Sequence, residues 1–163
     1  MISEEFHWRT TDGLKLYGYT WAPDNDIKAV LCLVHGMGEH IHRYDDFAPW
    51  FVEQQIAVIG FDQRGHGRSE GKRGHTPSID HLLYGIDDLL DKANELYPEI
   101  PKFLMGHSMG GGLVLNYCMT DQPDIHGLIV SSPWLQLAFT PPAWQEKLGK
   151  VVGNLLPGFQ QSS

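Results

Sequence analysis

The sequence predicts an α/β protein, in which a mostly parallel sheet has helices flanking it. Four short and nearly uninterrupted apolar runs are typical of strands that are buried on both faces. These runs are residues 28–34, 56–61, 102–105 and 127–130. Helix-like segments lie between them, and strands that alternate with helices form βαβ units with parallel pairing. The carboxyl ends of such strands carry the chemistry, so we expect the functional loops to follow these runs.

Two further strands are predicted before the first apolar run. Residues 6–10 and 15–21 flank the turn Asp12-Gly13, and aromatic residues in the second segment favour a strand. An Asp-Gly pair between two such segments is a strong indication of a β-hairpin. The sheet is therefore predicted to begin with an antiparallel pair.

Four segments are predicted to be helical. The clearest covers residues 78–97, where apolar residues recur at helical spacings and acidic residues fill the opposite face. Residues 44–54 and 111–120 indicate two shorter helices, and residues 143–156 indicate an amphipathic helix. This last helix lies in a proline-punctuated tail, after which no strand is predicted.

The charge and the composition argue against several classes of protein. The formal net charge is -8 and the basic residues form no cluster, which argues against a nucleic-acid partner. The amino terminus is acidic without an apolar segment, and no apolar run approaches the length of a membrane span, so neither a secretory signal nor a transmembrane helix is predicted. Cys32 and Cys118 lie in apolar segments and are predicted to be buried and reduced. We therefore expect a cytoplasmic protein.

The motif Gly106-His107-Ser108-Met109-Gly110 lies between a predicted strand and a predicted helix. This is the setting of a nucleophile elbow, a sharp turn that exposes a strained serine at the end of the sheet. Gly106 and Gly110 leave room for the turn, and the amino terminus of the helix places free N–H groups beside developing negative charge. His107 is expected to turn away from the site as a core histidine. A glycine-rich helix start without catalysis is the plain alternative, and a phosphate loop is excluded because no Lys-Ser or Lys-Thr follows the glycines.

Two other strand ends carry unusual residues. The loop His35–His40 follows the first apolar run. In a site of this kind, one oxyanion donor is the N–H of the residue after the nucleophile and the other comes from this loop, which assigns the N–H groups of Met109 and Met37. The loop Asp62–Ser69 contains His and Arg, but we favour a structural role, in which Asp62 accepts hydrogen bonds from loop N–H groups.

Three motifs together resemble a known family. HGMGEHxxRY at 35–44, DQRGHGRSEGKRG at 62–74 and GHSMGG at 106–111 are similar to the monoacylglycerol lipase and lysophospholipase group of α/β-hydrolases, which is also grouped with the serine aminopeptidases. The similarity spans about residues 5–135, and the motifs occur in order on successive strand ends. The resemblance implies an α/β-hydrolase fold.

The resemblance also implies a function. It implies a serine hydrolase that cleaves carboxylic esters, with monoacylglycerol or lysophospholipid as the substrate and with no metal or cofactor. It implies Ser108 as the nucleophile, Met37 and Met109 as backbone oxyanion donors, and a place for Glu39 and Arg43 near the pocket for the alcohol part of the ester. An ion pair that holds the loop is an equal alternative for Glu39 and Arg43. A peptidase or thioesterase of the same superfamily, and a non-catalytic binding or assembly module, are the alternative functions.

A serine nucleophile needs a base and an orienting acid, which in this fold follow it along the chain. The only later histidine, His126, directly precedes an apolar run and so belongs at the opposite end of the sheet, and residues 131–134 contain no carboxylate. We therefore expect an amino-terminal fragment of a longer enzyme, which lacks the last strands and most of the lid and is inactive alone. Residues 1–135 are expected to form the first part of the core, and residues 136–163 the truncated start of the lid.

A sheet without its last strands has an uncovered edge. Such an edge favours association, so we expect a second copy of the chain or a separate carboxyl-terminal piece to cover it. The apolar face of residues 143–156 has two interpretations, contact with a membrane surface as part of a lid or ordinary packing in a core.

Overall fold

The computed structural model describes residues 1–136 and 142–155. The strands are β1 (Ile2–Arg9), β2 (Lys15–Ala22), β3 (Ala29–Val34), β4 (Ile56–Asp62), β5 (Lys102–His107) and β6 (Gly127–Ser131). The α-helices are α1 (Ala48–Val52), α2 (Asp80–Leu96), α3 (Met109–Thr120) and α4 (Ala143–Leu155), and a 3₁₀ helix covers Ile41–Tyr44.

The strands form one sheet in the order β1-β2-β4-β3-β5-β6. β2 pairs antiparallel with both β1 and β4, whereas β4, β3, β5 and β6 are parallel. The prediction of a mostly parallel sheet with flanking helices is confirmed. The carboxyl ends of the four parallel strands lie at one edge of the sheet, and the loops with the unusual residues leave from that edge.

The buried strands send their side chains alternately into two apolar layers. On β3, Val30, Cys32 and Val34 belong to the layer packed by α2 and α3, whereas Leu31 and Leu33 belong to the layer packed by α1. All five are at most 2% exposed. Because full burial of an aliphatic side chain contributes roughly 1.5–3 kcal/mol, these layers are the main source of stability for β3.

Two elements differ in extent from the prediction. β1 begins at Ile2 rather than at residue 6, because its first residues are exposed and pair with β2 through the backbone, which leaves no apolar pattern in the sequence. The helix predicted at 44–54 is present but shorter than predicted. A separate 3₁₀ turn comes first, and α1 covers only Ala48–Val52 with Pro49 in its first turn. Proline is favoured at a helix start, so the chain begins a new helix there instead of continuing an old one.

Part of the predicted lid segment lies outside the described residues. α4 follows the predicted helix from Ala143 to Leu155, and the predicted last residue, Leu156, is not described. The boundary proposed after residue 135 stays a prediction. Of the two cysteines, Cys32 is fully buried, whereas Cys118 is only half-buried, and both are free thiols.

β6 forms an open edge. Within the described residues it pairs with β5 alone. Leu128 and Ile129 are consecutive on this strand and so point to opposite faces of the sheet, and they are 36% and 43% exposed. Both faces of the sheet are therefore open to solvent beside β6.

The hairpin turn between β1 and β2 is tied to the loop after β4. The guanidinium of Arg64, which is 7% exposed, donates to both carboxylate oxygens of Asp12 at 2.7 Å. The Thr10 hydroxyl donates to the same carboxylate at 2.6 Å. The hydrogen bond from Arg64 contributes most to lowering the pKa of Asp12, and the bond from Thr10 adds to it. Together they lower this pKa to about 2.

The Asp12–Arg64 contact predicts an acid-dependent loss of stability. A carboxyl group with a lowered pKa adds stability above its unfolded pKa, and this contribution is lost as the pH falls through the folded pKa. Between roughly pH 5 and pH 2 we expect the urea midpoint of the wild-type protein to fall more steeply than that of Asp12→Asn. Since Asp12 is 37% exposed, solvent screening keeps the difference small. Parallel midpoint curves for the two proteins would contradict this account.

Candidate active site

Ser108 lies in the turn between β5 and α3 and has a strained backbone. Its φ is 53° and its ψ is -116°, a region that residues with a side chain rarely adopt. Its N–H donates to the carbonyl of Ser131 at 2.9 Å, and its own carbonyl accepts from the N–H groups of Gly112 at 3.1 Å and Trp134 at 3.0 Å. The strained conformation is therefore held by β6, by the segment after β6 and by α3.

The two glycines of the motif allow the backbone to pack closely around Ser108. A Cβ atom on Gly110 would collide with the carbonyl oxygens of Val34 and His35, at the end of β3. A Cβ atom on Gly106 would collide with the carbonyl of Gly110, in the first turn of α3. The start of α3 thus rests directly on two strand ends, and this contact fixes where the serine points.

The loop after β3 lies against Ser108. Residues 36–39 form a turn in which the N–H of Glu39 donates to the carbonyl of Gly36 at 3.4 Å. Gly38 has a φ of 70° at the third position, as a type II turn requires. A Cβ atom placed on Gly36 would lie 3.1 Å from Cβ of Ser108, so the turn and the serine are in contact.

Two backbone N–H groups near Ser108 are free to bind an anion. In the described part of the chain, no hydrogen bond uses the N–H of Met37 or of Met109. Met37 is a central residue of the turn against Ser108, and Met109 is the first residue of α3, where N–H groups have no partner within the helix and the helix dipole is positive. These are the two groups that the sequence predicts as oxyanion donors.

The histidines of the described residues are not bonded to the serine. Within residues 1–136 and 142–155, no histidine makes a hydrogen bond with Oγ of Ser108. Nδ1 of His107 lies 3.2 Å from Oγ of Ser131 on the neighbouring strand. Because His107 is only half-buried, its prediction as a core histidine is wrong. His126 is exposed just before β6, at the far end of the sheet, as its position in the sequence predicts.

Asp62 binds the backbone of the two segments that follow β3 and β4. Its carboxylate is 1% exposed and accepts from the N–H of Ile41 at 2.6 Å and of Arg68 at 2.7 Å. Its carbonyl accepts from the hydroxyl of Ser69 at 2.5 Å. The predicted structural role of Asp62 is confirmed, and the 3₁₀ helix after the oxyanion loop is the segment that it anchors.

His35 and Gln63 form a buried pair that sequence reasoning missed. The N–H of Gln63 donates to Nε2 of His35 at 3.0 Å, so Nδ1 carries the ring proton and donates to the carbonyl of Gly36 at 2.7 Å. Burial lowers the pKa of His35 to about 4, which keeps the ring neutral. Both residues directly follow buried strands that are neighbours in the sheet, and this common position was the available indication of their contact.

Glu39 is mostly buried and binds the loop. Its Oε2 accepts from the N–H of Gly36 at 2.8 Å and from the hydroxyl of Tyr44 at 3.0 Å. Burial alone would raise the pKa of Glu39, but these two hydrogen bonds and the nearby positive groups lower it overall. Arg43 lies 3.5 Å from Oε1 and is 60% exposed, so the pair exists but is not a buried one.

A groove of about 740 Å³ opens between the starts of α2 and α3. Met37 and Met109, the residues with the free N–H groups, belong to its lining. Its apolar side chains include Ile79, Leu82, Leu113, Leu115, Trp134 and Leu135. Glu39 and Arg43 do not line it. An extended apolar group can therefore lie beside the two free N–H groups.

Comparison with known proteins identifies relatives of this chain. Residues 25–163 match the family described as "Serine aminopeptidase, S33". The monoacylglycerol lipase of Mycolicibacterium smegmatis is 33% identical over 90% of this chain and 52% of its own length. The monoglyceride lipase of Rattus norvegicus is 35% identical over 78% of this chain and 42% of its own length.

A solved structure is also similar. The crystal structure of the Paleococcus ferrophilus monoacylglycerol lipase superposes with a TM-score of 0.76 at 35% identity, over 90% of this chain and 54% of that one. The chain thus spans about half the length of the relatives that it matches. In residues 1–136 and 142–155, no helix has both the length and the apolar character needed to cross a membrane.

The packing at Gly110 predicts a local loss of stability on substitution. In Gly110→Ala the added Cβ meets two carbonyl oxygens of the β3 end, so we expect the free energy of unfolding to fall by about 1–3 kcal/mol. The matched control is Gly149→Ala on α4, where an added Cβ meets nothing within 4 Å. We expect this control to be neutral or slightly stabilising. Urea unfolding measures both, and equal stability of Gly110→Ala and the wild type would rule out the close contact.

Proposed function

We propose that this chain, which belongs to the serine aminopeptidase S33 family of α/β-hydrolases, supplies the nucleophile and the oxyanion donors for hydrolysis of lipid carboxylic esters. The observation that carries the proposal is the strained Ser108 beside the free N–H groups of Met37 and Met109. Relatives named monoacylglycerol lipase support monoacylglycerol as the substrate class, with lysophospholipid as the close alternative.

In the proposed reaction, Oγ of Ser108 attacks the ester carbonyl. The carbonyl oxygen becomes an oxyanion, which accepts hydrogen bonds from the N–H groups of Met37 and Met109, and removal of one such donor in other hydrolases costs roughly 10²–10³ in kcat. Collapse of the tetrahedral intermediate releases the alcohol and leaves an acyl group on Ser108. Water then attacks this acyl-enzyme and releases the fatty acid.

The proton of Ser108 needs an acceptor. A serine is activated by a positioned base, which is held in turn by a third group. Since no histidine of the described residues is bonded to Ser108, we propose that the base and its acid come from other polypeptide and that the 163-residue chain alone has no turnover.

The two sides of the ester are assigned to different surfaces. We propose that the acyl chain lies in the apolar groove whose lining includes Met37 and Met109. On the alcohol side, the exposed guanidinium of Arg43 and Oε1 of Glu39 can bind hydroxyl groups, since the hydrogen bonds of Glu39 to Gly36 and Tyr44 are made by Oε2.

A covering partner is proposed for the open edge at β6. The exposure of Leu128 and Ile129 on opposite faces supports a partner that covers both sides of the sheet. A carboxyl-terminal piece of a hydrolase, with a strand and helices, meets this need, and self-association is the other arrangement.

We also propose contact with a membrane surface through α4. Its exposed apolar residues recur at helical spacing, as an interfacial helix requires. They are Trp144, Leu148, Val151 and Leu155. The free thiols of Cys32 and Cys118 support a location of the protein in the reducing cytoplasm.

The test compares the isolated chain with a chimera. In the chimera this chain replaces the matching part of the M. smegmatis monoacylglycerol lipase. We expect no hydrolysis of monoacylglycerol and no fluorophosphonate labelling by the isolated chain, because Ser108 has no base there. We expect both in the chimera, and Ser108→Ala should reduce its kcat by roughly 10³-fold or more.

Two outcomes would contradict the proposal. Rapid stoichiometric labelling of Ser108 in the isolated chain would reveal a base within it. A folded chimera that is not labelled would favour the alternative of a non-catalytic binding module. A chimera that is labelled but cleaves only thioesters or peptides would show that the substrate is a thioester or a peptide instead of a lipid ester.

A further inference from the structure

Glu39 binds both polar groups of Gly36, whose carbonyl also accepts from Nδ1 of His35 at 2.7 Å. The N–H of Glu39 donates to the carbonyl of Gly36 at 3.4 Å, and the carboxylate of Glu39 accepts from the N–H of Gly36 at 2.8 Å. This reciprocal pair closes the turn at residues 36–39, with Met37 and Gly38 at its centre. Because both groups of Gly36 are engaged, the N–H of Met37 has a fixed direction and remains free.

The closed turn touches the nucleophile through Gly36. A Cβ atom placed there would lie 3.1 Å from Cβ of Ser108 and 3.2 Å from Oε2 of Glu39. The carboxylate of Glu39, the turn and the serine are thus in successive contact. A shift of the carboxylate therefore changes the distance between the Met37 donor and the reacting oxygen of Ser108.

The carboxylate is itself held by a rigid part of the fold. The hydroxyl of Tyr44 donates to the same Oε2 at 3.0 Å. The ring of Tyr44 packs against Phe47 at 5.9 Å between centroids, beside the start of α1. Between Glu39 and Tyr44, the N–H of Ile41 is bound by the buried Asp62. Both ends of the segment that carries Glu39 are therefore anchored.

We infer that Glu39 is a positioning residue, which fixes the oxyanion turn against Ser108 through Oε2. Its kinetic consequence rests on the proposed function, whereas its effect on the turn does not. A group that only binds substrate would need no contact with Gly36, whereas Oε2 accepts from the N–H of Gly36 at 2.8 Å. The role is additional to the one proposed for Oε1 and Arg43.

The first experiment measures amide hydrogen exchange by NMR in the 163-residue chain. Glu39→Ala leaves the N–H of Gly36 without its acceptor, so we expect exchange at Gly36 to rise roughly tenfold or more. Glu39→Gln keeps an acceptor oxygen and should rescue most of the protection. Tyr44→Phe removes one support of the carboxylate and should give an intermediate rise.

The matched controls are Glu53→Gln and Tyr84→Phe, which change an exposed carboxylate after α1 and an exposed ring on α2. Neither should alter exchange at Gly36. Unchanged exchange at Gly36 in Glu39→Ala would overturn the inference. An equal rise at the core residues Ile59 and Leu104 would also overturn it, since that result would mean a general loss of stability.

The second experiment measures kcat and KM for monoacylglycerol in the active chimera. A misplaced oxyanion donor weakens the transition state, so Glu39→Ala should lower kcat by roughly 10–100-fold, together with the rise in KM that follows from the loss of Oε1 on the alcohol side. Glu53→Gln should leave both constants unchanged. A rise in KM with kcat retained would assign Glu39 to substrate binding and overturn the inference. If the chimera has no activity, the proposed function fails, and the exchange data still decide the role of Glu39.

Discussion

The arrangement of the loops beside Ser108 depends on the buried carboxylate of Asp62. A buried charge is costly unless hydrogen bonds satisfy it, and here backbone N–H groups from two different loops do so. Ile41 belongs to the segment after β3, and Arg68 belongs to the loop after β4. The hydroxyl of Ser69 extends the network, because it donates to the carbonyl of Asp62 and accepts from the N–H of Tyr17 on β2. One side chain thereby sets the spacing of three strand ends.

The proposed chemistry is built on that spacing. Two carboxylates hold the proposed oxyanion turn. Asp62 binds the N–H of Ile41 in the segment after the turn, and Glu39 binds the N–H of Gly36 at its start. Ser108 lies on the other side of this turn, at the start of α3, which packs directly against the end of β3. Its strain is compensated by backbone hydrogen bonds, so the nucleophile needs no side-chain partner to stay in place. To react, however, Ser108 needs a side chain that acts as a base. A serine that is correctly placed but has no base is not active.

Much of this arrangement is predictable from the sequence, for physical reasons that differ between elements. The parallel strands are apolar on both faces, so burial alone identifies them, and the elbow glycines are required by backbone contact. The break between the 3₁₀ turn and α1 was not predicted, because the aromatic residues Tyr44, Phe47 and Phe51 recur at helical spacing across it. The partners of Glu39 and His35 were also missed. Their hydrogen bonds join loops that meet only when the sheet has formed, and local patterns carry little information about such contacts.

The strained elbow has a consequence for the order of folding. The N–H of Ser108 is bound by Ser131 of β6, and its carbonyl is bound by Trp134 beyond that strand. Both partners follow the serine in the chain and are made later during synthesis. Until they arrive, the costly backbone conformation at Ser108 is compensated only by the hydrogen bond from Gly112 in α3, so we expect the elbow to be among the last features to form. A nascent chain would then hold Ser108 in an ordinary backbone conformation until its sheet is assembled, so the placement of this serine waits for completed folding.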